Sequence, residues 1–319
     1  MSHPISRRDF LIAAAAATGV SFASPHTSAT ALAQSGSGPR TRLVLLGTGG
    51  GPTPKKGAAA TAQAIVIDDR VYVVDCGNGV GRQLALANIP ILNLRHIFIT
   101  HHHSDHNADY GNLFLLAWAT GLGTQVDTWG PPPLTKMTDL FLQMNAADID
   151  VRIKDEGRPA LAPLIHPHEI STAGLVMQDD KVRVTAALVE HPLVSPAFAY
   201  RFDGPDRSIV ISGDTTKTDR LIELARGADV LVHEAMWLPG IDRIVAREPN
   251  ATTLRKHLLE SHTVVEDCGR VAEAAGVKTL VLSHFVPGGD PSITDEMWAD
   301  AARRFFKGRV IVGHDLLEV

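Results

Sequence analysis

Cysteine is nearly absent, with Cys76 and Cys268 the only two in 319 residues. Two thiols cannot build the disulfide framework of a small secreted domain, and buried free thiols are the commoner state for such a pair. Positive charge is also short. Lysine and arginine total 30 against 35 acidic residues, a net charge of −5, and none occurs from residue 107 to residue 130. An acidic chain has no overall electrostatic footprint for a polyanion, so nucleic acid is not expected as a partner. A spanning segment is missing too: the apolar stretch 11–20 falls short of the roughly 20 residues that cross a bilayer. Four glycines between Gly47 and Gly51 suggest a phosphate-cradling loop. Pro52, Pro54 and the following Lys-Lys-Gly give no helix start, so the nucleotide-binding patterns are not met. The glycines instead let backbone pass close beneath a site.

The N-terminus carries export chemistry. Paired arginines in Ser6-Arg7-Arg8-Asp9-Phe10-Leu11 precede the apolar stretch, and Ala31-Leu32-Ala33 is an A-x-A cleavage site. The expected twin-arginine signal spans 1–33, and the mature chain spans 34–319 without a membrane anchor. Its expected location is the periplasm or the cell exterior. Removing two arginines and one aspartate shifts the net charge to about −6. The mature length suits one large α/β domain, and hydrophobic and charged fractions of 45% and 20% are ordinary for a globular protein.

The chain is organised around Thr100-His101-His102-His103-Ser104-Asp105-His106, directly after the apolar run Ile97-Phe98-Ile99. A short β-branched and aromatic run ending in a polar cluster reads as a buried strand leading into a loop. Residues two apart on a strand end point the same way, so His101 and His103 can share one metal ion. Asp105 and His106 follow where the chain turns, and can face a second ion about 3.5–4 Å away. Imidazole with carboxylate and no thiolate suits zinc. His102 lies between these positions and is expected to point away.

Other strand ends deliver further ligand types. The strand 182–189 leads to His191, the strand 208–211 to Asp214, the strand 230–232 to His233-Glu234, and the strand 279–282 to His284. Asp75 ends an earlier strand and is assigned to tying down a neighbouring loop. Two segments read as irregular: 148–168, the best candidate for a substrate-facing loop, and 239–260, with a short helix capped by Asn250. Strands with interspersed helices in each half predict two stacked sheets with helices outside, a four-layer αββα sandwich of the α/β (α+β) class.

In order and spacing these residues resemble the metallo-β-lactamase-fold hydrolases, in the branch that contains ribonuclease Z with arylsulfatase-like and phosphodiesterase-like bacterial enzymes. Leu46–Gly51, Asp75-Cys76-Gly77, His101–His106, His191, Ser212–Thr215, His233-Glu234-Ala235, Ser261-His262-Thr263 and Ser283-His284-Phe285 carry the resemblance. It implies that His101, His103 and His191 hold one Zn²⁺, that Asp105, His106 and His284 hold a second, and that Asp214 bridges both; manganese or iron are alternatives. It further implies that Asp105 accepts a proton from water, that His262 assists the leaving oxygen, and that Glu234 orients His262. His233 is a candidate for the layer behind. Dimers are common in the branch, which leaves a homodimer open. Ribonuclease Z enzymes carry a basic arm that grips tRNA, and no such insertion is present here. Together with the acidic charge and the export signal, this favours a small-molecule ester. The expected activity is that of an exported dizinc hydrolase of phosphate diesters or aryl sulfates. Carboxylic esters, lactones, β-lactams and ribonuclease Z-like RNA cleavage are the alternatives.

Overall fold

The computed structural model describes residues 40–319. The expected signal and its cleavage site lie outside the described residues. Thirteen strands form two sheets. The first runs in chain order: β1 (Thr41–Gly47), β2 (Ala62–Ile67), β3 (Arg70–Val74), β4 (Leu94–Phe98), β5 (Val126–Gly130) and β6 (Ile165–Glu169). The second is laid down in the reverse sense, from β7 (Gly174–Gln178) through β8 (Arg183–Leu188), β9 (Phe198–Asp203), β10 (Ser208–Ile211), β11 (Val230–Met236) and β12 (Thr279–Val286) to β13 (Arg309–Val312). Each sheet begins antiparallel and turns parallel where helices provide the crossovers.

The helices are α1 (Val80–Leu86), α2 (Ser104–Asn107), α3 (Tyr110–Thr120), α4 (Leu134–Met144), α5 (Ala146–Glu156), α6 (Asp219–Ala225), α7 (Ile241–Arg247), α8 (Leu254–Ser261), α9 (Val265–Ala275) and α10 (Asp295–Arg303). Alternation along the strands sorts the core into layers. Leu43, Leu45, Ile65, Phe98, Phe202 and Val232 face the space between the sheets. Val44, Leu46, Val73 and Ile97 point outward beneath α1 and α3. Val210, Leu231 and Leu280 do the same beneath α6, α9 and α10. Three apolar layers between four structural ones make the expected sandwich. Among the described residues, no helix is long and apolar enough to cross a membrane. Cys76 and Cys268 are buried free thiols.

Two segments depart from expectation. Residues 148–168 are mostly ordered into α5 and β6. Arg152 pairs with Asp148 at 3.0 Å and with Glu156 at 2.8 Å, each four residues away, so the polarity read as a loop is the solvated face of a helix. Residues 239–260 are two helices, and α8 begins after Thr253 with no cap from Asn250. Their apolar faces meet in a small cluster of Met236, Ile241, Leu258 and Val286. Such short helices show little periodicity of their own and are held by that contact.

Candidate metal centre

The loops between the two sheets converge at one end of the sandwich, and each ligand-type residue is aimed by a local backbone device. Asp75 follows β3 with φ +59°, a left-handed conformation that an aspartate tolerates. There its carboxylate accepts the Thr100 N–H at 2.8 Å and the His106 Nδ1–H at 2.7 Å. The loop-tying role is borne out. The bond to His106 adds a consequence, since an acceptor-only partner fixes the tautomer and leaves Nε2 free as a ligand. His284 does not lie past a strand end, as expected, but inside β12. Ser283 pairs with Glu234 and Phe285 with Ala235, so His284 is the extra residue of a bulge, with φ +44°. The bulge turns its ring inward. Gly50 then passes directly beneath: a Cβ there would sit 2.7 Å from His284 Nδ1. The next residue, Gly51, donates its N–H to Asp105 Oδ2 at 2.7 Å.

All seven expected ligand positions come together. His101, His103, His191 and Asp214 form one group, and Asp105, His106 and His284 form another. Asp214 lies between them. Its Oδ1 is 3.3 Å from His106 Nε2 and 3.2 Å from His284 Nε2, while its Oδ2 is 3.9 Å from His101 Nε2 and 4.0 Å from His191 Nε2. Within the groups, His101 Nε2 is 3.1 Å from His103 Nδ1, and His106 Nε2 is 3.2 Å from His284 Nε2. Ligands about 2.05 Å from a tetrahedral zinc are separated by about 3.3 Å, so these spacings fit such an ion.

The electrostatics test the same fit. Both ring nitrogens of His191 are buried without a hydrogen-bond partner, as are Asp214 Oδ1 and His284 Nδ1. Orphaned buried polar atoms are costly, and cations held beside Asp214 would satisfy its Oδ1 and His191 Nε2. Burial, with the neighbouring His106, pushes the His101 imidazole well below its usual range, so it is neutral and able to ligate. Burial works to raise Asp214, but the His284 and His106 rings hold it well below the carboxylate range. The donor set is nitrogen and oxygen without thiolate, and it fits zinc.

His262 follows α8, and its Nδ1 lies 3.4 Å from Glu234 Oε2 and 3.8 Å from Asp214 Oδ2. Burial pushes its pKa down, but the nearby Glu234 carboxylate, with Asp214 and Asp105, outweighs this and raises it to about 9. Glu234 is itself anchored, its Oε1 accepting the Thr263 N–H at 2.7 Å. His233 belongs elsewhere. One residue along β11 from Glu234, it points to the opposite, helix-covered face, where Nδ1 donates to the Glu234 carbonyl. His102 points away as expected, with Nε2 2.7 Å from the Pro131 carbonyl oxygen.

The centre opens into a cleft of about 740 Å³ walled by residues 50–57, by α7 and α8, and by residues 286–289. The segment 148–168 takes no part in it. Lys55, Lys56, Arg247 and His257 line the cleft, and sequence reasoning singled out none of them. Lys55 and Lys56 sit in the glycine-rich loop, where a phosphate role was the signal available. His257 belongs to no motif spacing.

Residues 70–285 match the family described as β-lactamase superfamily domain. The chain belongs to this superfamily. Ribonuclease Z from Mycobacterium bovis (strain BCG / Pasteur 1173P2) is 32% identical over 280 residues, 87% of this chain and 97% of that protein. The crystal structure of human tRNase Z, short form, superposes with a TM-score of 0.64 at 20% identity, covering 87% of this chain and 98% of that one. That of the metallo-β-lactamase-fold protein YhfI from Bacillus subtilis superposes at 0.63 and 20% identity, covering 88% and 98%. A superfamily member with relatives named for RNA corrects the expectation of a small-molecule ester in place of nucleic acid. Net charge is a sum over the whole chain, whereas phosphate contact is local. The acidic total conceals Lys56 and Arg247, which line this cleft beside Glu248, while Lys55 Nζ is tied to the Gly51 and Thr53 carbonyls.

Proposed function

We propose that this chain is a metal-dependent phosphodiesterase that cleaves RNA. The observation that carries the reading is Asp214, whose two carboxylate oxygens divide the surrounding histidines between two ligand groups at the floor of an open, cation-lined cleft. The substrate class rests on similarity to ribonuclease Z along nearly the full length of that protein.

In this reading His101, His103 and His191 would hold one zinc, Asp105, His106 and His284 would hold the other, and Asp214 would serve both. Bound zinc supplies Lewis-acid activation of water and of phosphoryl oxygens. The chain's residues supply orientation and proton transfer. Asp75 holds His106 in one tautomer, and Gly51 holds Asp105 Oδ2, leaving Oδ1 to take the proton of the attacking water. As the water oxygen bonds to phosphorus and one ribose P–O bond breaks, His262 donates its proton to the departing oxygen. Glu234 keeps that ring charged and aimed. Lys56 and Arg247 hold the flanking phosphates.

The test compares initial rates of zinc-loaded protein on a tRNA-containing transcript, bis(p-nitrophenyl) phosphate and p-nitrophenyl sulfate. Cleavage of the transcript and the diester, with the sulfate untouched, is expected. Turnover of the sulfate alone overturns the reading. Export through the twin-arginine segment completes the proposal. Cell fractionation should find a mature chain beginning at Gln34 outside the cytoplasm, and an uncleaved cytoplasmic chain would remove this part.

A further inference from the structure

We propose that His257 contacts the substrate's phosphoryl group, as a hydrogen-bond donor set one layer above the ligand histidines. The inference rests on the phosphodiesterase reading and adds a residue that the ligand pattern does not contain.

The three rings of the first ligand group stand close together: His101 and His103 at 4.9 Å between centroids, His101 and His191 at 4.8 Å, and His103 and His191 at 4.8 Å. His257 stands farther off, 5.7 Å from His103 and 5.8 Å from His191. His257 belongs to none of the ligand groups, yet it lines the cleft directly beside them. On the other side it is 5.9 Å from His262. A phosphoryl group bound where the cleft meets the ligand groups would have both rings as neighbours, since both line the cleft there.

The ring is also prepared for an anion. Leu258, the next residue, is buried in the cluster with Met236, Ile241 and Val286, which sets the rotation of α8 and turns His257 to the cleft. His257 Nδ1 is 3.3 Å from Ser261 Oγ, one helical turn on. A hydroxyl donating to Nδ1 leaves the proton on Nε2, and a phosphoryl oxygen is an acceptor with no proton to give.

The test uses inorganic phosphate as the probe on zinc-loaded protein labelled with ¹⁵N-histidine. Phosphate should shift the His257 ring signals and leave in place those of the half-buried His166, which does not line the cleft. His257→Phe should weaken phosphate binding by roughly 10- to 100-fold and lower kcat/KM on RNA by a similar factor, the range for a hydrogen bond to a charged group. Zinc content and melting temperature should hold, and His257→Gln, which restores a donor, should recover most of the binding. Phosphate binding with silent His257 signals would overturn the proposal, as would unchanged phosphate affinity in His257→Phe, loss of zinc from that variant, or no phosphate binding by the wild-type protein. If phosphate binding depends on His257 but no RNA is cleaved, the RNA reading fails and this one stands.

Discussion

Asp75 illustrates how much of this site is carried by groups that would touch neither metal nor substrate. It holds the His106 ring from behind, at 2.7 Å and buried. Asp75→Asn keeps the shape but can turn its N–H toward Nδ1, which then favours the wrong tautomer. Zinc affinity at the second group should fall by roughly 10- to 100-fold, read by chelator competition, and unchanged affinity would remove the role. His96 gives a separate handle far from the ligands. It stacks on Tyr72 at 5.1 Å, with its Nδ1 3.4 Å from Trp129 Nε1. Burial, partly offset by Asp127 and Asp179, pushes its pKa down to about 4. The folded protein thus resists a proton that the unfolded chain accepts near pH 6.5. Stability should be complete above that pH and fall between about 6.5 and 4, by at most about 3 kcal/mol. His96→Phe should flatten this stretch of a urea-midpoint titration, and an unaltered profile would exclude His96 as its source. The gathering of the seven candidate ligands was legible because histidine and aspartate cluster at strand ends. The geometry around His284 was not, since a bulge depends on the neighbouring strand.

At the scale of elements, the cleft wall formed by α7 and α8 rests on a four-residue buried cluster, apart from the three large apolar layers. Its local stability should be correspondingly low. Leu258→Ala removes a buried side chain, a change worth about 2–5 kcal/mol, and should speed amide exchange in α7 and α8 while leaving α9 protected. Gly269→Ala is the contrast. Its Cβ would meet the Ala302 carbonyl oxygen at 2.4 Å, where α9 packs on α10, and the melting temperature of the whole domain should drop. Uniform exchange changes in Leu258→Ala would mean that the wall is not an independent unit. The strands were legible, from Val and Ile runs bounded by Gly, Pro and Asp. The helix in 148–168 and the pairing of two helices, rather than one, in 239–260 were not, because ion pairs four residues apart and contacts to a distant strand made them stable.

For the whole molecule, the lesson concerns charge. A net of −5 is compatible with the proposed RNA-facing cleft when Lys56 and Arg247 line it beside Glu248, Lys55 Nζ being held by the Gly51 and Thr53 carbonyls. Two phosphate contacts should give a log–log salt slope near −1.4 for single-stranded RNA, and Lys56→Ala should reduce it by about 0.7. The two-sheet sandwich was readable from the order of strands and ligands along the chain. The partner was not, since composition cannot say where charges gather. The most direct measurement is the cleavage rate of a tRNA-containing transcript by zinc-loaded wild-type protein and by Asp214→Ala, with the zinc content of each determined. The account expects wild-type cleavage to fall by about 1,000-fold or more in the variant, together with loss of bound zinc. Equal cleavage by both proteins, or none by a fully loaded wild type, would contradict it.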